Sequence, residues 1–211
     1  MSTIELMYIN YLYNELGKDE AEKILAIPPG TIVLRNSLHC DLFDHPHVRL
    51  WHKFLLNYFS PFKPHALIMP CTSIKPYRLS PTHKIVITKL NKYQLTEYVA
   101  VYILSEPMVL VPQELDIYYP FANYEYPPRE LNDSRKSLLI QLLSKILPKL
   151  RIHKYIVAIL PRHHKYILIN ALNLIKEKPN ILIIDYGRLP FKAVAEGVEL
   201  INSLIKQSQH N

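Results

Sequence analysis

Four apolar runs stand out along the chain, at residues 66–70, 98–104, 155–160 and 181–184. They are short and continuous rather than alternating, the pattern of strands buried on both faces. Between and after them the apolar positions recur at helical spacing, over residues 82–95, 134–150, 162–176 and 191–206. Parallel neighbours need long, right-handed crossovers. The alternation therefore predicts an α/β class protein, a three-layer α/β/α arrangement around a mostly parallel sheet. Ahead of the first strand, Leu6, Ile9, Leu12, Leu16, Ala21 and Ile24 keep helical spacing with a break near Gly17, which predicts a helix pair closed by Pro28-Pro29-Gly30. Residues 1–36 read as a helical N-terminal extension and 37–211 as the α/β domain. A short strand is expected at 31–34, and a helix at 46–59 that starts on Pro46 and turns Trp51, Leu55 and Tyr58 inward. Residues 107–128 follow neither period and are too long for a passive connection.

Composition narrows the class. With 49% apolar and 20% charged residues the 211-residue chain can bury a core throughout. No apolar run approaches the roughly 20 residues of a bilayer span, and the start lacks a basic segment leading into an apolar one. The expectation is an unprocessed cytoplasmic protein with no membrane contact. Its two cysteines, Cys40 and Cys71, are too few for a disulfide framework. Neither they nor the adjacent His163-His164 show metal-ligand spacing, so no metal and no cofactor are expected. The net charge of +7 favours a polyanionic partner. Lys149, Arg151, Lys154, Arg162 and Lys165, around the third strand, are the candidate contacts to a nucleic-acid backbone, with a solvated helix face as the plain alternative.

Ligands of open parallel sheets bind beyond the carboxyl ends of the strands. Two segments leave such ends. One runs from Pro70 to His83, the other from Ser105 to Tyr124. The first spells Pro70-Cys71, three residues, Lys75-Pro76-Tyr77, two residues, Ser80, two residues, His83. That spacing resembles the motif of the archaeosine synthase core domain, with all seven fixed positions filled. Residues 45–52, 109–115 and 119–124 look like the helix before the motif and the second loop of that family. Met108 and Val109 stand where the family has small residues, and Asn123 stands where a histidine is usual.

The resemblance implies a fold like that of uracil-DNA glycosylases, but Lys75 takes the place of their acidic residue, so base excision is not expected. It implies transfer RNA carrying 7-cyano-7-deazaguanine as substrate and addition of an amine, lysine in the family version that works with a radical SAM lyase, to the nitrile. A separate PUA or transglycosylase-like RNA-binding subunit would be a partner, because neither domain is expected within this chain. Cys71 could attack the nitrile carbon with Lys75 or a protonated His83 as the neighbouring cation. His83 could shuttle the proton. Tyr77, Tyr119 or Tyr124 could stack on the base, and Glu114 or Asn123 could read its edge, with Ser80 among the substrate contacts. The residues also permit plainer roles: a buried Cys71, a phosphate-binding Lys75, a Ser80 that only caps a helix. A non-catalytic module binding transfer RNA or a nucleobase, or a DNA-base-binding relative, is the alternative function.

Overall fold

A computed structural model of the chain describes residues 1–37 and 40–209. Its elements follow the hydrophobic pattern closely. Helices α1 (Thr3–Leu16) and α2 (Lys18–Leu25) meet at Gly17, whose φ of 79° is the conformation that breaks the run. Then come β1 (Leu34–Arg35), α3 (Pro46–Asn57), β2 (His65–Pro70), α4 (Pro81–Lys92), β3 (Val99–Ser105), β4 (Val109–Pro112) and β5 (Tyr124–Glu125). The chain continues through α5 (Asp133–Ile146), β6 (Tyr155–Leu160), α6 (Arg162–Asn173), β7 (Ile181–Asp185) and α7 (Pro190–Gln209). Among these helices none is long and apolar enough to cross a membrane.

The main sheet has the order β4-β3-β2-β6-β7, parallel except for β4 at one edge. Alternate side chains of β2 and β6 serve different layers. Ala66 and Ile68 of β2 pack with residues of α1, α3, α5 and α6, while Leu67 and Met69 pack with those of α4 and α7. This two-sided burial is why the strands read as continuous apolar runs. The three-layer α/β/α expectation therefore holds. Helices α1 and α2 share the larger core, through Ile4, Tyr8, Tyr11, Leu12, Ala21 and Ile24. The segment after them pairs β1 with β5 in parallel, Leu34 opposite Tyr124.

Two details depart from the expectation. Tyr58 does not turn inward: α3 ends at Asn57, Tyr58 becomes its C-cap at 49% exposure, and Phe54 and Phe59 fill the core instead. The stretch after β3 is not irregular throughout, because it folds back as β4 with Ser105 opposite Val109. Val109 there has a φ of 66°, a position that usually takes glycine. Its side chain is fully buried, so packing holds a conformation that by itself costs about 1–3 kcal/mol.

One position measures how tightly α7 seats on the sheet. A Cβ on Gly197 would lie 2.4 Å from Cδ1 and 2.6 Å from Cγ1 of the buried Ile159. Helix propensity alone favours alanine by about 1 kcal/mol. Overpacking of about 1–3 kcal/mol opposes it. Gly197→Ala is therefore expected to lower the thermal midpoint, and a raised midpoint would contradict this packing.

Candidate functional site

Three neighbouring strands of the sheet end at one place. Cys71 follows β2, with its N–H donating to Leu104 O at 3.0 Å. Glu106 follows β3, and His164 is the third residue of α6, just after β6. They line a cavity of about 530 Å³ together with Lys75, Tyr124 and Tyr186, of the size that takes a small planar ligand.

Glu106 and His164 are almost completely buried, while Cys71 is half-buried. The His164 Nε2 lies 3.1 and 3.2 Å from the two carboxylate oxygens of Glu106. The same nitrogen is 4.0 Å from Cys71 Sγ, and Sγ is 3.7 Å from Glu106 Oε2. Nδ1 of His164 is buried without a partner among the described residues. Burial works against a charged imidazole, but hydrogen bonds to Cys71 and Glu106 and their charge outweigh it and push His164 up to about 10. Burial likewise opposes the Glu106 carboxylate, and the bond and charge of His164 overcome it, holding that carboxyl below its ordinary range.

Lys75, with Tyr124, forms another part of the wall. Its Nζ donates to Thr72 O at 3.1 Å and sits 4.2 Å from the ring centre of Tyr124 and 5.1 Å from that of Tyr77. Burial pushes the ammonium down, offset in part by negative charge nearby, Glu125 and Glu106 included. The hydroxyls of Tyr77, Tyr124 and Ser105 bond to one another behind the wall. Burial raises both phenols well above their ordinary value, so they stay neutral.

Of the residues singled out in the sequence, Cys71, Lys75 and Tyr124 thus meet at the cavity, with Tyr77 directly behind. The others lie elsewhere. His83 is fully buried beneath the loop, its Nε2 donating to Pro70 O at 3.0 Å and its ring stacked on Tyr77. Burial lowers it, which keeps it neutral. Ser80 is the N-cap of α4 and accepts from His83 N–H at 3.4 Å. Glu114 pairs with Lys63 at 3.1 Å and lines a depression with Val99, at the amino end of β3. The Tyr119 hydroxyl is 2.7 Å from His47 Nδ1. Asn123 donates to Pro28 O and Thr31 O, both at 2.8 Å, and clasps the N-terminal segment.

The basic residues divide between the two ends of β6. Lys149, Arg151 and Lys154 precede it: Lys149 donates to Phe59 O, Arg151 pairs with Glu177, and Lys154 lies over Tyr155. Arg162 and Lys165 follow it. They line an open groove of about 1130 Å³ that adjoins the cavity through Pro161, His163 and Tyr186. Sequence reasoning missed Glu106 and His164 as site residues. A glutamate directly after one apolar run and a histidine just after another were the available signals, but their meeting depends on strand order.

The chain matches a family model described as "Domain of unknown function (DUF5591)" over residues 48–185. It is 35% identical over 78 residues to archaeosine synthase subunit alpha of Methanosarcina acetivorans, 37% of this chain and 12% of that protein. With archaeosine synthase subunit alpha of Thermoplasma acidophilum it shares 28% identity over 128 residues, 60% of this chain and 24% of that protein. The chain thus spans a quarter or less of these relatives' length. The crystal structure of AF0587, a protein of unknown function, superposes with a TM-score of 0.53 at 18% identity, over 72% of this chain and 48% of that one, and supports the fold.

Proposed function

The chain belongs to the DUF5591 family, and from that premise we propose that its cavity takes a modified guanine of transfer RNA, as part of archaeosine biosynthesis. In this reading a lysine amine adds to the nitrile of 7-cyano-7-deazaguanine. One C–N bond forms, a π pair moves onto the nitrile nitrogen, and one proton passes from the amine to that nitrogen. No oxidant or reductant is needed. The observation that carries the reading is the juxtaposition of the Lys75–Tyr124 wall with Cys71, Glu106 and His164 across one cavity. A flat heterocycle can lie against the wall while its substituent faces the sulfur. The likeness to archaeosine synthase subunit alpha supplies the substrate class. An RNA-binding module and a radical SAM lyase that acts on the adduct are the partners this reading proposes.

The test is mass spectrometry of transfer RNA bearing the nitrile base after incubation with the protein and lysine. An adduct heavier by one lysine is expected, with Lys75→Ala lowering the yield about 30-fold, the scale of a desolvated cation–π contact of about 2 kcal/mol. Binding without product would instead establish a non-catalytic module, and neither binding nor product would end the reading.

The groove beside the cavity gives the flanking phosphates a path along Arg162 and Lys165, whereas Lys149, Arg151 and Lys154 lie at the other end of β6. Arg162→Ala is expected to weaken transfer RNA binding and reduce the slope of log affinity against log salt by about 0.7–0.9, one phosphate contact. Lys154→Ala should leave that slope unchanged. The reverse pattern in a salt titration would move the RNA to the opposite end of the sheet.

A further inference from the structure

We propose that Cys71, Glu106 and His164 form a three-ligand site for a divalent transition metal of the zinc class, with the fourth coordination position open to the cavity. The three donor atoms come from the ends of three adjacent strands and lie within 4.8 Å of one another. For bonds of about 2.0–2.3 Å at tetrahedral angles, neighbouring donors are separated by about 3.3–3.8 Å. The observed separations of 3.1 and 3.2 Å between nitrogen and carboxylate, 3.7 Å between sulfur and carboxylate and 4.0 Å between sulfur and nitrogen bracket that range.

The donor set also has the right charge. A thiolate and a carboxylate with a neutral imidazole offset a divalent cation, in a place where two buried ionisable groups otherwise face each other at some expense. A nucleophile–base relay would need His164 to reach Cys71 through one ring nitrogen and Glu106 through the other. Here a single nitrogen faces both, and Nδ1 has no partner among the described residues. The three groups thus converge on a point instead of forming a chain. All three line the cavity, so the vacant position meets whatever lies against Lys75 and Tyr124. Three protein ligands with one open position is the arrangement of catalytic rather than structural zinc.

The inference rests on the proposed function only in treating the cavity as the reacting centre, and it is tested without RNA. Co(II) is titrated into the full chain after chelator treatment. Expected are one equivalent bound, a near-ultraviolet thiolate-to-cobalt band, the strong visible absorption of four-coordinate Co(II), and displacement by Zn(II). Cys71→Ser removes the near-ultraviolet band, Glu106→Gln and His164→Gln each weaken binding at least about tenfold, and Cys40→Ser changes nothing. Thermal unfolding of each variant without metal establishes that it is folded. For any variant that is not, the wild-type spectrum together with Cys40→Ser decides. No thiolate band in the wild type, or a band that follows Cys40 instead of Cys71, overturns the site. A lysine adduct formed at full rate in excess chelator would likewise discard the metal while leaving the proposed function standing.

Discussion

Trp51→Ala is expected to destabilise the fold by about 3–5 kcal/mol, the scale for emptying a buried aromatic site. The indole is fully buried and lies against three rings: stacked on Phe54 at 5.2 Å between centres, and edge-on to Tyr8 at 5.4 Å and Phe121 at 4.5 Å. Its Nε1 donates to Met108 O at 2.7 Å, and the next residue, His52, bonds through Nε2 to Pro107 O at 2.8 Å. Helix α3 thereby grips the turn that carries Glu106. Trp51→Phe should lose about 1 kcal/mol, chiefly the hydrogen bond. Because Trp51 is the only tryptophan, unfolding in denaturant is best followed by circular dichroism. A midpoint shift at unchanged slope would measure stability alone, and a loss under 1 kcal/mol for the alanine variant would mean that the core closes over the gap.

The second large effect belongs to the buried pair. In metal-free protein, replacing either Glu106 or His164 singly leaves a buried group without its partner and is expected to cost about 3–5 kcal/mol near pH 6, whereas replacing both with apolar residues costs much less. The pH dependence has a definite sign. Glu106 is held below its ordinary 4.5, so its contribution is present above 4.5 and is lost as pH falls through the lowered value. His164 is raised from 6.5 to about 10, so its contribution is complete below 6.5 and disappears as pH rises through about 10. The pair's own contribution should plateau between 4.5 and 6.5 and decline on both sides. His164→Gln should flatten the alkaline limb. An unchanged limb in that variant would place the titration on another group.

The sheet was legible because β2, β3 and β6 are apolar runs whose burial on both faces leaves a local signature, and the partly exposed edge strand β7 has an apolar run as well. Part of the site was legible for a different reason: Cys71, Lys75 and Tyr77 sit within one loop, so local spacing contains them. Glu106 and His164 stand 35 and 93 residues from Cys71. Only the order β3-β2-β6 makes them neighbours, and no local pattern records strand order. His83 shows the converse. Its position in the motif pointed to the reacting centre, yet it occupies the first turn of α4, where its ring turns under the loop and supports Pro70. Asn123 and Tyr119 were drawn into holding the N-terminal segment and α3, a tertiary role that residue type alone does not announce.

The short pairing of β1 with β5 divides the cavity's provenance. Cys71, Lys75, Glu106, Tyr124 and His164 all fall within the 48–185 span shared across the family, whereas Ile32, beside β1, and Tyr186 border the same space from outside it. Part of the rim is thus built from outside the matched span. A different flanking segment would frame the same space with other residues, so the bulk of the guest admitted can change through the rim alone.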